Sequence, residues 1–156
     1  MIIETPIGPM EALFEGSALV ELGFVSSERR LSMGEATGAP ADPLEARAVT
    51  QIAEYYSGKR KTFDLELAPK GTPFQLAVWN ELTKIPFGET ITYAELALRI
   101  GRPAAVRAVG AANGANPIPL IIPCHRVIGS NGTLTGYGGG IERKQWLLAH
   151  EGRRLF

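Results

Sequence analysis

The chain has 156 residues, 45% of them hydrophobic and 21% charged, with 16 basic and 16 acidic side chains that balance to zero. This composition suits one sizeable core or two small ones and excludes the disordered and fibrous classes. No apolar run approaches the roughly 18 residues of a membrane span, no basic-plus-apolar leader is seen, and the single cysteine, Cys124, excludes an internal disulfide, so a reducing, cytoplasmic setting is expected.

The charge is unevenly divided. Residues 1–71 carry 7 basic and 11 acidic groups, a net −4, and residues 72–156 carry 9 and 5, a net +4. A polyanion would be drawn to the second half. The first half reads as a small α/β unit. Met10–Glu15 and Ala18–Phe24 are β-type runs around Gly16-Ser17, a hairpin signal, and Ile2–Thr5 can add an edge strand. Residues 26–41 are rich in Ser, Gly and charge and read as a surface loop. Asp42-Pro43-Leu44-Glu45 opens a helix with Leu44, Ala48, Ile52 and Tyr55 on one stripe, and Gly58 closes it. Thr62–Leu67 alternates like a strand. The expected domains are 1–68 and 73–156, joined by a linker at 69–72.

The second half reads as mainly helical. Thr72-Pro73-Phe74-Gln75 is a capping box before a helix with Phe74, Val78, Leu82 and Ile85 on one face, and Pro86-Phe87-Gly88 breaks the pattern. Thr92-Tyr93-Ala94-Glu95 is another capping box, opening a helix to about Ile100. Gly101-Arg102-Pro103 then turns the chain into a short helix from Ala104 to about Asn113, a helix-turn-helix pattern. Ile118–Ile122 is a short apolar segment, Gly129–Gly140 a glycine-rich loop and Ile141–Glu151 a last amphipathic helix with Gly152 just past its end.

The helix after the turn is unusual for a base reader. A major-groove reader presents several Arg, Asn or Gln side chains, whereas Ala105, Ala108, Gly110 and Ala111 leave a nearly bare surface with one long side chain, Arg107. Such a helix suits close approach to the minor groove without sequence choice, and Arg107 can fill the stack behind a flipped base. Packing of the same small residues on a neighbouring helix is the competing reading.

Pro123-Cys124-His125 carries the chemistry. A thiol near pKa 8.5 is mostly protonated at neutral pH, and a nucleophilic thiolate needs a proton acceptor, for which His125 is the candidate, directly or through one water. Glu151 is the candidate carboxylate behind the imidazole. Taken alone, a single cysteine is more often a small buried hydrophobe. One Cys and two His, His125 and His150, do not make a zinc site. No metal and no cofactor are expected.

Ile122-Pro123-Cys124-His125-Arg126-Val127 resembles the active-site signature of the O6-alkylguanine-DNA alkyltransferases. Residues 88–93, Arg107-Ala108-Val109-Gly110, Asn116-Pro117, Tyr137-Gly138-Gly139-Gly140 and residues 146–152 match that family in order and spacing, so the likeness covers roughly residues 72–156. The resemblance implies a ribonuclease-H-like α/β domain, a small antiparallel sheet with a helix, before a mainly α, winged-helix-like domain with the helix-turn-helix. It implies transfer of an alkyl group from O6-alkylguanine, and from O4-alkylthymine, to Cys124, once per molecule. By the same likeness His125 is a water-mediated base, Glu151 polarises it and Asn116 braces the turn before the cysteine. Tyr93 donates to the leaving guanine, Arg107 is the finger, and backbone near Val127 with the Tyr137-Gly138 loop holds the base. Thr92 and Arg102 join the small-residue helix as expected DNA contacts. The partner implied is double-stranded DNA bound through its minor groove by a monomer, with no membrane. Gly138 stands where many relatives carry Ser, which implies a roomier pocket that tolerates bulky adducts. A non-catalytic lesion binder and a Cys-His hydrolase are the readings from other classes.

Overall fold

The computed structural model describes residues 1–32, 40, 42–134 and 136–152. They fall into two units, Met1–Pro69 and Lys70–Phe156.

In the first unit β1 (Ile2–Ile3), β2 (Met10–Glu15) and β3 (Ala18–Phe24) form an antiparallel sheet in that order. Gly16, at φ 58°, supplies the left-handed turn of the β2–β3 hairpin. Residues 26–41 are not all loop. Ser26 accepts from the Arg29 backbone N–H and starts α1 (Ser27–Ser32), while residues 33–39 and 41 of that stretch lie outside the described residues. Asp42 caps α2 (Pro43–Tyr56) by accepting from Glu45 N–H, and Ala48, Ile52 and Tyr55 are buried on its inner face.

The expected strand at Thr62–Leu67 shrinks to a single parallel bridge, Leu67 on Leu19. The reason lies in α2. The Gln51 carboxamide donates to Asp64 O at 3.0 Å and accepts from Asp64 N at 2.8 Å. A side chain thus satisfies the backbone that a partner strand would have paired. Only Glu66–Ala68 reaches the sheet, through Leu19.

In the second unit Thr72 and Gln75 form the full reciprocal capping box of α3 (Pro73–Leu82). Gly71 has no room for a side chain: a Cβ there would stand 2.6 Å from the Trp79 ring. β4 (Ile91–Thr92) leads into α4 (Tyr93–Arg99), with Thr92 accepting from Glu95 N–H as the N-cap. α5 (Val106–Gly114) begins two residues later than expected, because Arg102 to Ala105 are occupied by the turn. The Trp79 indole donates to Ala112 O at 2.8 Å and ties α3 to α5.

Ile118, Leu120, Ile121 and Ile122 are buried on the way into a 3₁₀ turn at Cys124–Arg126, followed by β5 (Val127–Ile128) and α6 (Ile141–His150). β5 pairs in parallel with β4, Ile91 opposite Val127 and Thr92 opposite Ile128. That short pairing brings the start of α4 beside the Cys124 turn.

Candidate active site

Cys124 sits at the head of the 3₁₀ turn, buried, with its backbone N–H bonded to Ile122 O at 2.8 Å. Pro123 allows this geometry because it has no N–H to satisfy. The approach to the turn is held by Asn116. Its Nδ2 donates to Ile122 O at 2.8 Å and its Oδ1 accepts from Ile118 N at 3.0 Å. Between those anchors Leu120 lies at φ 77°, a left-handed conformation that costs a non-glycine residue about 1 kcal/mol or more. One carboxamide therefore closes a strained loop whose end is the thiol.

Burial pushes the Cys124 thiol up to about 11, and hydrogen bonding by Asn116, the Lys144 charge and nearby backbone N–H groups offset part of that rise. The resting group is a thiol, so a proton acceptor is required for nucleophilic chemistry.

His125 is fully buried. Its Nε2 lies 2.8 Å from Glu151 Oε2, and its Nδ1 has no hydrogen-bond partner among the described residues. The carboxylate fixes the tautomer: Nε2 carries the hydrogen and Nδ1 keeps its lone pair. Burial lowers the His125 pKa, against an opposing pull from Glu151, so the ring is neutral and Nδ1 is basic.

Glu151, at the C-cap of α6, is shared with a residue that the sequence reading left without a role. Arg126 donates to it twice, Nε to Oε1 at 2.8 Å and Nη2 to Oε2 at 3.0 Å, and a third time to Ile85 O through Nη1 at 2.6 Å. Burial alone would raise the Glu151 pKa, but hydrogen bonds from His125 and Arg126, with the Arg126 charge, outweigh it and hold the carboxyl far below its usual range. Lys144 is the second missed residue. It is completely buried, donates to Val127 O at 2.6 Å and lies 5.9 Å from the centre of the Tyr93 ring. Burial lowers its pKa to about 8, partly offset by Cys124.

The other expected residues divide clearly. Tyr93 is half-buried at the start of α4, and Gly110 of α5 packs on its ring, where a Cβ would stand 3.8 Å away. Val127 is buried and its carbonyl already accepts from Lys144. Tyr137 is half-buried and Gly138 exposed, with the Cβ position of Gly138 3.9 Å from Gly114 O at the end of α5. Arg107, Ala108 and Ala111 are exposed on α5, Ala105 and Gly110 are half-buried, and Arg102 is exposed in the turn between α4 and α5. The Thr92 hydroxyl oxygen is engaged as the α4 cap. Small-residue packing accounts for Ala112, which is buried, but not for the outward face of α5.

An outward helix of mostly small residues after a tight turn, with a shielded thiol and a buried His–Glu–Arg network in the same unit, defines a helix-turn-helix protein with a buried cysteine. The comparisons narrow the class. Residues 73–153 match the model of the 6-O-methylguanine DNA methyltransferase DNA-binding domain, and residues 1–69 match that of the 6-O-methylguanine DNA methyltransferase ribonuclease-like domain. A methylated-DNA–protein-cysteine methyltransferase of Methanosarcina barkeri is 48% identical over 159 residues, covering 99% of this chain and 97% of the relative. One of Mycobacterium tuberculosis is 48% identical over 152 residues, covering 97% and 91%. The crystal structure of Mycobacterium tuberculosis OGT in complex with DNA superposes with a TM-score of 0.83 at 47% identity, covering 96% of this chain and 90% of that one. The chain belongs to the 6-O-methylguanine DNA methyltransferase family.

Proposed function

We propose that this chain repairs DNA by direct reversal, moving an alkyl group from O6 of guanine onto Cys124. The observation that carries the reading is the buried thiol at the end of a braced turn, followed by an imidazole whose Nδ1 has no partner among the described residues and whose Nε2 is held by Glu151. His125 Nδ1 takes the Cys124 proton, through a bridging water where the ring does not reach. The sulfur attacks the alkyl carbon in an SN2 step, the carbon–oxygen bond breaks, and guanine leaves with the electron pair. The Tyr93 hydroxyl donates a proton or hydrogen bond to the departing base, stabilising charge where it develops. The thioether has no hydrolytic route back, so each molecule reacts once. O4-alkylthymine undergoes the same displacement.

The base must leave the duplex to reach a buried sulfur, and extrusion costs a few kcal/mol, less for a badly paired lesion. α5 supplies the means. Ala105, Ala108, Gly110 and Ala111 let its backbone approach the minor groove of double-stranded DNA, Arg107 enters the gap, and Arg102 and Thr92 contact the flanking backbone. The Tyr137-Gly138 wall and backbone near Val127 receive the base, and the missing side chain at Gly138 leaves room for bulky alkyl groups. The protein acts as a monomer.

Mass spectrometry after incubation with duplex O6-methylguanine DNA tests this. The expected result is one added methyl on the Cys124 peptide and unmodified guanine in the DNA. An unmodified peptide with retained DNA binding would make the chain a lesion binder instead.

A further inference from the structure

His125 and Arg126 leave the same 3₁₀ turn and converge on one carboxylate. Glu151 Oε2 lies 2.8 Å from His125 Nε2 and also accepts from Arg126 Nη2 at 3.0 Å, while Oε1 accepts from Arg126 Nε at 2.8 Å. The guanidinium is held on its far side as well. Nη1 donates to Ile85 O at 2.6 Å, and Cζ lies 5.9 Å from the centre of the Phe87 ring. Every nitrogen of Arg126 is thus fixed, and the fork meets the same oxygen that meets the imidazole. A pair that only tied α6 to the turn would not need to share that oxygen.

A base built this way has two conflicting requirements. The imidazole must give its Nε2 hydrogen to a carboxylate so that Nδ1 keeps its lone pair. Yet a buried anion at hydrogen-bond distance favours imidazolium, and imidazolium accepts no proton. The conflict is resolved when the charge of the carboxylate is balanced from another side. Glu151 of α6 favours the charged ring, while Arg126 in the same turn and Lys144 of α6 oppose it. The Cys124 thiol is neutral at rest. α3 also packs on the turn, and its one acid, Glu81, is paired with Lys84 at 3.0 Å. Of the two opposing cations, Lys144 donates to Val127 O, whereas Arg126 is bonded to the carboxylate itself.

We propose that Arg126 is a positioning residue for the proton transfer: its guanidinium takes up the charge of Glu151, so that the carboxylate orients His125 without protonating it. The inference rests on the alkyl-transfer reading and adds a residue to its proton-transfer step. The proton balance of that step is unchanged. The proton leaves Cys124 Sγ and reaches His125 Nδ1, the ring becomes imidazolium, and the sulfur displaces guanine. Arg126 gains and loses no proton and keeps the acceptor empty until then.

The test is the pH profile of single-turnover methyl transfer from duplex O6-methylguanine DNA, from about pH 5.5 to 9, for the wild-type protein and Arg126→Met, with thermal melts at both ends of the range confirming that each is folded. Removing a cation bonded to the carboxylate lets His125 charge at higher pH, a shift of about one to three units. The acid limb, below 6.5 in wild type, should move up by at least about one unit. Each unit is a factor of ten on that limb, so the variant should be slower by about tenfold or more at pH 5.5 and recover to within about threefold at pH 9. Adding Glu151→Gln to Arg126→Met removes the anion and should bring the limb back. Should Arg126→Met not fold, Arg126→Lys, a point charge that cannot form the fork, should move the limb the same way by at least about half a unit. A limb that stays in place in the folded variant, a loss equal at every pH, or a shift that persists with Glu151→Gln overturns the proposal. No transfer to Cys124 by the wild-type protein at any pH would instead overturn the alkyl-transfer reading.

Discussion

Replacing His125 by Gln should turn a reaction that is nearly independent of pH around neutrality into one that depends on it steeply. Burial pushes the Cys124 thiol up to about 11. At pH 7.5 a group with that pKa is thiolate in about one molecule in three thousand, each pH unit being a factor of ten. A reaction that waited for the free thiolate would forfeit about three orders of magnitude and regain about tenfold per unit as the pH rose. A positioned general base contributes about 10²–10⁴-fold, which matches the deficit. His125 is in the right state to act, because burial lowers its pKa from 6.5 and leaves the ring neutral at pH 7.5. The wild-type rate should therefore be flat from about pH 7 to 8 and decline only on the acid side of 6.5. His125→Gln should lose about a thousandfold at pH 7.5 and recover about tenfold per unit above it. Single-turnover transfer of a labelled methyl group from duplex DNA, sampled from about pH 6 to 9, measures both, with thermal melts confirming that the variant is folded. A folded variant within tenfold of wild type and with the same flat profile would refute the assignment of His125 as the base.

Arg126→Ala should be the most destabilising single change at the site. It takes from the buried Glu151 carboxylate the guanidinium that donates to it twice, a loss of about 3–5 kcal/mol for a broken buried pair, or about 6–20 °C in a circular-dichroism melt at 2–4 °C per kcal/mol. A drop smaller than about 2 °C would mean that Glu151 is paired by solvent instead. Glu151 also sets the acid limit. Its folded pKa is depressed below the ordinary 4.5, so its stabilisation is present above that pH and is lost as the pH falls below it. Denaturant melts should show wild type losing up to about 1.4 kcal/mol per unit there, and Glu151→Gln, already weaker at neutral pH, should decline less steeply. Arg107→Ala should slow repair of duplex lesions at least tenfold while reaction with free benzylguanine stays within twofold, magnitudes on the order of a lost flipping contact. Equal losses on both substrates would remove Arg107 from the flipping step.

Much of this arrangement was legible before any coordinates. Capping residues at Asp42, Thr72 and Thr92 stood within a residue of the true helix starts, because an N-cap is a local hydrogen bond with a local sequence signature. The Pro123-Cys124-His125 turn was legible as a restricted backbone. The strand at Thr62–Leu67 was misread for a non-local reason. Alternation predicts a strand but cannot show that Gln51, eleven or more residues earlier, meets Asp64 with its own amide.

Arg126 and Lys144 were missed, but for Lys144 a signal existed. The buried stripe of α6 runs Lys144, Leu147, Leu148 and Glu151, the i, i+3, i+4, i+7 spacing of an inward face. A charge at each end of an apolar stripe is expensive unless each is paired or used. Glu151 is paired by Arg126, and once paired it can hold His125 without drawing a second proton into the core. Lys144 answers to the backbone of Val127 and to the thiol, which it favours as an anion. In the proposed reaction the two ends of one helical face have complementary tasks: Glu151 orients the group that takes the proton, and Lys144 favours the sulfur that loses it.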